Sequence, residues 1–129
     1  MISISTNEIA VGFNHDDFSR KFSDLKTVSE LFTFKTVKHL KCENDKISFL
    51  LQRVANFELQ FSKVRGDNWF QLESNKNNLF KSAFRFEFLN EKQSVIIHVE
   101  TDTNVFMELF LERRLKKLIS GIVENLKAK

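Results

Sequence analysis

The sequence predicts an α+β fold: a curved antiparallel sheet of about seven strands wrapped around a long C-terminal helix, with two short helices after the first strand. Three observations predict it. Apolar and polar residues alternate through the middle of the chain, from Ile47 to Val99. The stretch from Asn104 to about Leu126 switches to an amphipathic helical pattern, and Asn14 to about Leu31 also has helical spacing. Period-two alternation marks antiparallel strands with one face buried and one wet, whereas a stripe at i, i+3 and i+4 marks a helix that buries one side.

Taken in order, Ile9, Val11 and Phe13 form a first strand. Ile2 and Ile4 have the opposite parity, which predicts a bulge or break near Asn7. Asn14 is placed to cap a helix, with Asp16 and Asp17 in its first turn, where carboxylates suit the helix dipole. Thr27-Val28-Ser29-Glu30 has the form of a capping box and predicts a break followed by a second short helix. Thr33–Lys41 reads as extended, with no clear inward face. Further strands follow from Ile47, Phe49 and Leu51; from Phe57, Leu59 and Phe61; from Phe70 and Leu72; from Phe80, Ser82, Phe84, Phe86 and Phe88; and from Val95, Ile97 and Val99. Asn and Asp supply the turns at Glu43-Asn44-Asp45, Gly66-Asp67-Asn68, Asn75-Lys76-Asn77-Asn78 and Asn90-Glu91-Lys92, since both tolerate left-handed backbone. The last helix carries the stripe Met107, Leu111, Leu115, Leu118, Ile119, Ile122 and Leu126.

Composition bounds the function classes. The 129 residues fit one domain, 1–129. The net charge of +3 is mildly basic, and the basic run Arg113, Arg114, Lys116, Lys117, Lys127 and Lys129 reads as a complement to the dipole at a helix C-terminus rather than as a nucleic-acid footprint. One cysteine, Cys42, excludes an internal disulfide. With no signal-peptide pattern and no apolar run of about 18 residues, the expectation is a cytoplasmic protein with no stable membrane insertion. Gly12, Gly66 and Gly121 stand apart, which excludes a dinucleotide fingerprint and a P-loop. His15, His39, His98 and Cys42 lack metal-ligand spacing, so neither a metal nor another cofactor is expected. The aromatic–basic alternation Phe84-Arg85-Phe86-Glu87-Phe88 reads as a core strand, not a nucleic-acid platform.

The element order is similar to that of the START-like or SRPBCC superfamily, the helix-grip fold shared by polyketide cyclases, lipid-transfer domains and a major pollen allergen. The matching stretches are Glu8–Leu25 (EIAVGFNHDDFSRKFSDL) and Phe84–Leu126 (FRFEFLNEKQSVIIHVETDTNVFMELFLERRLKKLISGIVENL). That superfamily often begins its first helix with Pro, where this chain has Asn14-His15. It has no common catalytic motif to carry over. The resemblance implies a cavity between sheet and C-terminal helix that takes a hydrophobic or amphipathic small molecule.

The residues predicted to line such a cavity are Phe57, Phe61, Ser82, Phe84, Phe86, Met107, Phe110, Leu111 and Arg114. Fifteen Phe and no Tyr make the interior greasy and poor in hydroxyls. Arg114 falls near the centre of the helix stripe, between Met107, Leu111 and Leu118. Pointing inward, it would meet a carboxylate or phosphate head; otherwise it snorkels to solvent. Ser82 is a second polar contact, and Lys63 a weaker third. The early part of the last helix is apolar nearly all round, from Val105 to Leu111, and its extra faces need cover from the short helices, a ligand or another subunit. A cyclase- or dehydratase-type enzyme is the first alternative, which would need His98 or Glu100 inside. A non-enzymatic interaction domain, such as a pleckstrin-homology-like module, is the second. A homodimer through the Leu109 and Val123 side of the helix stays open.

Overall fold

The structure, a computed structural model, describes residues 1–51, 55–75 and 80–129. Its strands are β1 (Ile2–Ser5), β2 (Ile9–Ala10), β3 (Val37–Glu43), β4 (Lys46–Leu51), β5 (Ala55–Phe61), β6 (Trp69–Ser74), β7 (Ser82–Leu89) and β8 (Ser94–Thr101). The helices are α1 (His15–Lys21), α2 (Leu25–Ser29), a 3-10 turn (Glu30–Phe32) and α3 (Val105–Lys127). The sheet runs in the order β1-β8-β7-β6-β5-β4-β3, with β2 also paired to β8 and every pairing antiparallel. This is the predicted fold class: sheet, early short helices and a long C-terminal helix.

The predicted break in the first strand is present. Ser5 pairs with His98 and Ile9 with Val95. Between them Thr6 bonds Ile97 twice, through its amide N–H and its hydroxyl, both at 3.0 Å. The interruption lets Ile2 and Ile9 both face the core despite their opposite parity.

Asn14 caps α1 as expected, its side chain accepting from the Asp17 N–H at 2.9 Å, with Asp17 answering in a capping box. The helix break, in contrast, lies before Asp24 and not at Thr27. The Asp24 carboxylate accepts from the Lys26 N–H and from the Thr27 hydroxyl, so that hydroxyl is engaged as a donor inside α2. Asn44 and Asp45 both take left-handed backbone, with φ of 51° and 61°, and close the β3–β4 hairpin in the manner of a primed turn. Strand β3 has an irregular register between Lys38 and Lys41, with His39 at φ 55°. Only Val37 of β3 is buried, which is why this edge strand shows no inward face in its sequence. Most of the turn expected at Asn75–Asn78 lies outside the described residues.

The inner face of the sheet and the short helices form two groups of touching rings. Under α1, Phe18, Phe22, Phe61, Phe70, Phe86 and Phe88 meet, with Phe70 and Phe86 stacked at 4.8 Å. Beside the 3-10 turn, Phe32, Phe49, Phe57 and Phe84 meet, with Phe49 and Phe57 stacked at 5.4 Å. Helix α3 closes the core with Leu111, Leu115, Leu118, Ile119, Ile122 and Leu126, all buried. Among the described residues no helix is long and apolar enough to cross a membrane.

Candidate functional site

The nine predicted lining residues fall into three groups. Phe57, Phe84, Phe86 and Leu111 are fully buried within the packed core. Ser82 is also buried, and its hydroxyl is paired with that of Thr101 at 3.1 Å. Phe61 is half-buried at the edge of the cluster under α1. Met107, Phe110 and Arg114 lie on α3 and keep part of their surface open. Lys63 is exposed.

Arg114 does not sit at the centre of the buried stripe. That centre runs through Leu115 and Ile122, and at about 100° per residue Arg114 falls on the flank of the helix. Met107, Phe110, Arg114, Gly121 and Asn125 share that flank within an arc of about 60°.

The two halves of this flank differ in cover. Toward the C-terminus, the Phe34 ring lies against Gly121 so closely that an added Cβ would come within 2.6 Å of its carbons. Asn125 there donates from Nδ2 to the carbonyls of Leu31 at 2.9 Å and Thr33 at 3.1 Å. Toward the N-terminus, Phe110 is 41% exposed, and Met107 and Arg114 are half-buried. The Arg114 guanidinium carbon lies 5.1 Å from the Phe110 ring centroid. Among the described residues no carboxylate pairs with it. The expected cover by the short helices thus reaches only the second half of α3, because the chain from the 3-10 turn to Phe34 packs on the turns around Gly121 and Asn125. The chemistry left is an apolar shelf, Met107 and Phe110, ended by an unpaired cation, which suits an anionic head on an apolar body.

The start of α3 is fixed from below. Asn104 accepts the Met107 N–H at 2.9 Å, and Ser82–Thr101 locks β7 to the last residue of β8 just before that cap.

Among the described residues, open clefts of about 310 to 460 Å³ lie elsewhere, and α3 does not line these. One runs over the outer sheet face between Ser5, Arg85, Glu87, His98 and Glu100. There His98 Nδ1 lies 2.8 Å from the Ser5 hydroxyl, and its Nε2 lies 3.5 Å from the Glu87 carboxylate. His98 and Glu100 therefore stand outside the core, not in it. Arg85 stacks over Trp69 at 4.0 Å on this outer face. The buried polar residues are Ser29, Ser82, Ser94 and Thr101, and among the described residues no Asp, Glu or His is buried.

Sequence reasoning missed Arg65. It reaches back from the β5–β6 loop to the end of α1, over the rings of Phe61 and Phe70 at 5.4 and 5.6 Å. A loop cation carries no periodicity, so no pattern singles it out. Desolvation against these rings lowers the Arg65 pKa from its ordinary value.

No family model matches the chain, and no curated protein matches its sequence. Solved structures do match its fold. The chain is similar to the protein XoxI from Bacillus cereus at 7% identity and a TM-score of 0.66, covering 99% of this chain and 94% of that one. It is similar to a Thermus thermophilus protein at 15% identity and a TM-score of 0.63, covering 98% of each. The Aha1 dimer from Colwellia psychrerythraea matches at 9% identity and a TM-score of 0.55, over 98% of this chain and 97% of that one. At these identities the likeness concerns the fold alone: small α+β proteins of the helix-grip type.

Proposed function

We propose that this protein binds a hydrophobic or amphipathic small molecule, lipid-like or polyketide-like, between the sheet and the first half of α3. The observation that carries the reading is the uncovered flank, where Arg114 stands beside Phe110 and Met107 with no carboxylate partner among the described residues. An apolar body lies along Met107 and Phe110 over Leu111, and a carboxylate or phosphate head meets the guanidinium. The buried Phe57, Phe84 and Phe86, with the paired Ser82, stay within the packed core. The protein acts as a carrier or sensor: among the described residues the interior offers hydroxyls but no buried Asp, Glu or His for the acid–base pair that a cyclase or dehydratase needs. It works as a binding protein of the SRPBCC type.

Native mass spectrometry of the protein purified from its source, followed by solvent extraction, tests this. The expected result is a co-purifying small molecule with an anionic head and an apolar body. Protein that carries nothing and takes up no added fatty acid speaks for a scaffold instead.

A further inference from the structure

Among the described residues, helix α3 has a second surface without a partner, on a different side from the Arg114 flank. Val105, Phe106 and Leu109 are 83%, 95% and 76% exposed. Single exposed apolar residues are ordinary, but three large ones on adjacent turns of one helix mark an interaction surface. At about 100° per residue these three share an arc of about 120° with Arg113, Lys116 and Lys117, all exposed. Glu108 and Glu112 fall outside that arc and are half-buried.

The helix dipole does not account for these cations. Its influence fades within the last turn, where Lys127 is the basic residue, and Arg113 to Lys117 lie mid-helix. The face therefore reads, from residue 105 to 117 over about 18 Å, as an apolar end followed by a cationic one with no anion between.

We propose that this face docks on an anionic lipid surface, with α3 lying in the plane of the interface. Val105, Phe106 and Leu109 enter the boundary between headgroups and acyl chains, while Arg113, Lys116 and Lys117 meet lipid phosphates and carboxylates. Charge selects this occupant. A second copy centred on the apolar end would leave both sets of cations outside the contact, whereas an anionic bilayer uses both parts of the face. Docking of this kind is adsorption, not insertion.

The test is co-sedimentation of the full chain with vesicles of phosphatidylcholine containing about one third phosphatidylserine, against pure phosphatidylcholine, at low and high salt. The expected result is binding to the anionic vesicles that is at least about tenfold stronger than to neutral ones and weakens with salt. Phe106→Ala with Leu109→Ala lowers that affinity about tenfold or more. Arg113→Gln, Lys116→Gln and Lys117→Gln together remove the preference for anionic lipid. All five positions are exposed, so circular dichroism should show these variants folded. Absence of binding to anionic vesicles, or equal binding by the variants, overturns the proposal. So does a dimer in light scattering that Phe106→Glu dissociates, which would give the face to a second copy. None of these substitutions touches Arg114, so small-molecule binding is read separately.

Discussion

Arg65 donates from Nη2 to the carbonyl oxygen of Phe22 at 2.9 Å, joining the β5–β6 loop to the residue that ends α1. The carbonyls of a helix's last turn lack intrahelical donors, and a cation there also complements the dipole. Removing the donor leaves the carbonyl short of a partner over the Phe61 and Phe70 rings. Arg65→Met is expected to cost about 1–2 kcal/mol, the range for a charged hydrogen bond discounted for its partial exposure. Urea unfolding followed by fluorescence of the single Trp69 measures it, and Arg65→Lys should lose less.

Gly121 admits the Phe34 ring. Alanine there gains up to about 1 kcal/mol of helix propensity but sets a Cβ within 2.6 Å of three ring carbons. Overpacking costs about 1–3 kcal/mol, so Gly121→Ala should lower the melting temperature. In the Phe34→Ala background the same substitution should be neutral or stabilising. Thermal melts of the two single variants and the double variant give the coupling.

Asn104→Ala removes the side chain that accepts the Met107 N–H. Loss of such a cap costs about 1 kcal/mol. The first turns of α3, which carry Met107 and Phe110, should lose amide protection from exchange before the turns around Ile122. Hydrogen exchange across α3 reads this directly.

The sheet and the long helix were legible because alternation and helical stripes report burial, and burial shapes these elements. Asn14 and the Asn44–Asp45 turn were legible for a different reason, since each does its work within three or four residues. The break at Asp24 was not, because Thr27-Val28-Ser29-Glu30 offers an equally good capping pattern and the choice depends on which hydroxyl is already engaged. Of the proposed site, the helix pattern offered Arg114 and Phe110 as candidates, but not the side of α3 left open. That depends on how far the chain after Phe32 reaches along the helix, a matter of tertiary packing. The exposure of Phe106 was hidden for the same reason, since an apolar run looks the same whether it is buried or bare.

The central claim is that the uncovered flank of α3 binds an anionic amphiphile through Arg114. Its most direct test is a titration with the fluorescent fatty acid cis-parinaric acid, comparing wild type with Arg114→Gln. The account predicts saturable binding that falls about tenfold or more in the variant, with the melting temperature of the free protein nearly unchanged. No saturable binding by wild type, or equal affinity in the two proteins, would contradict it.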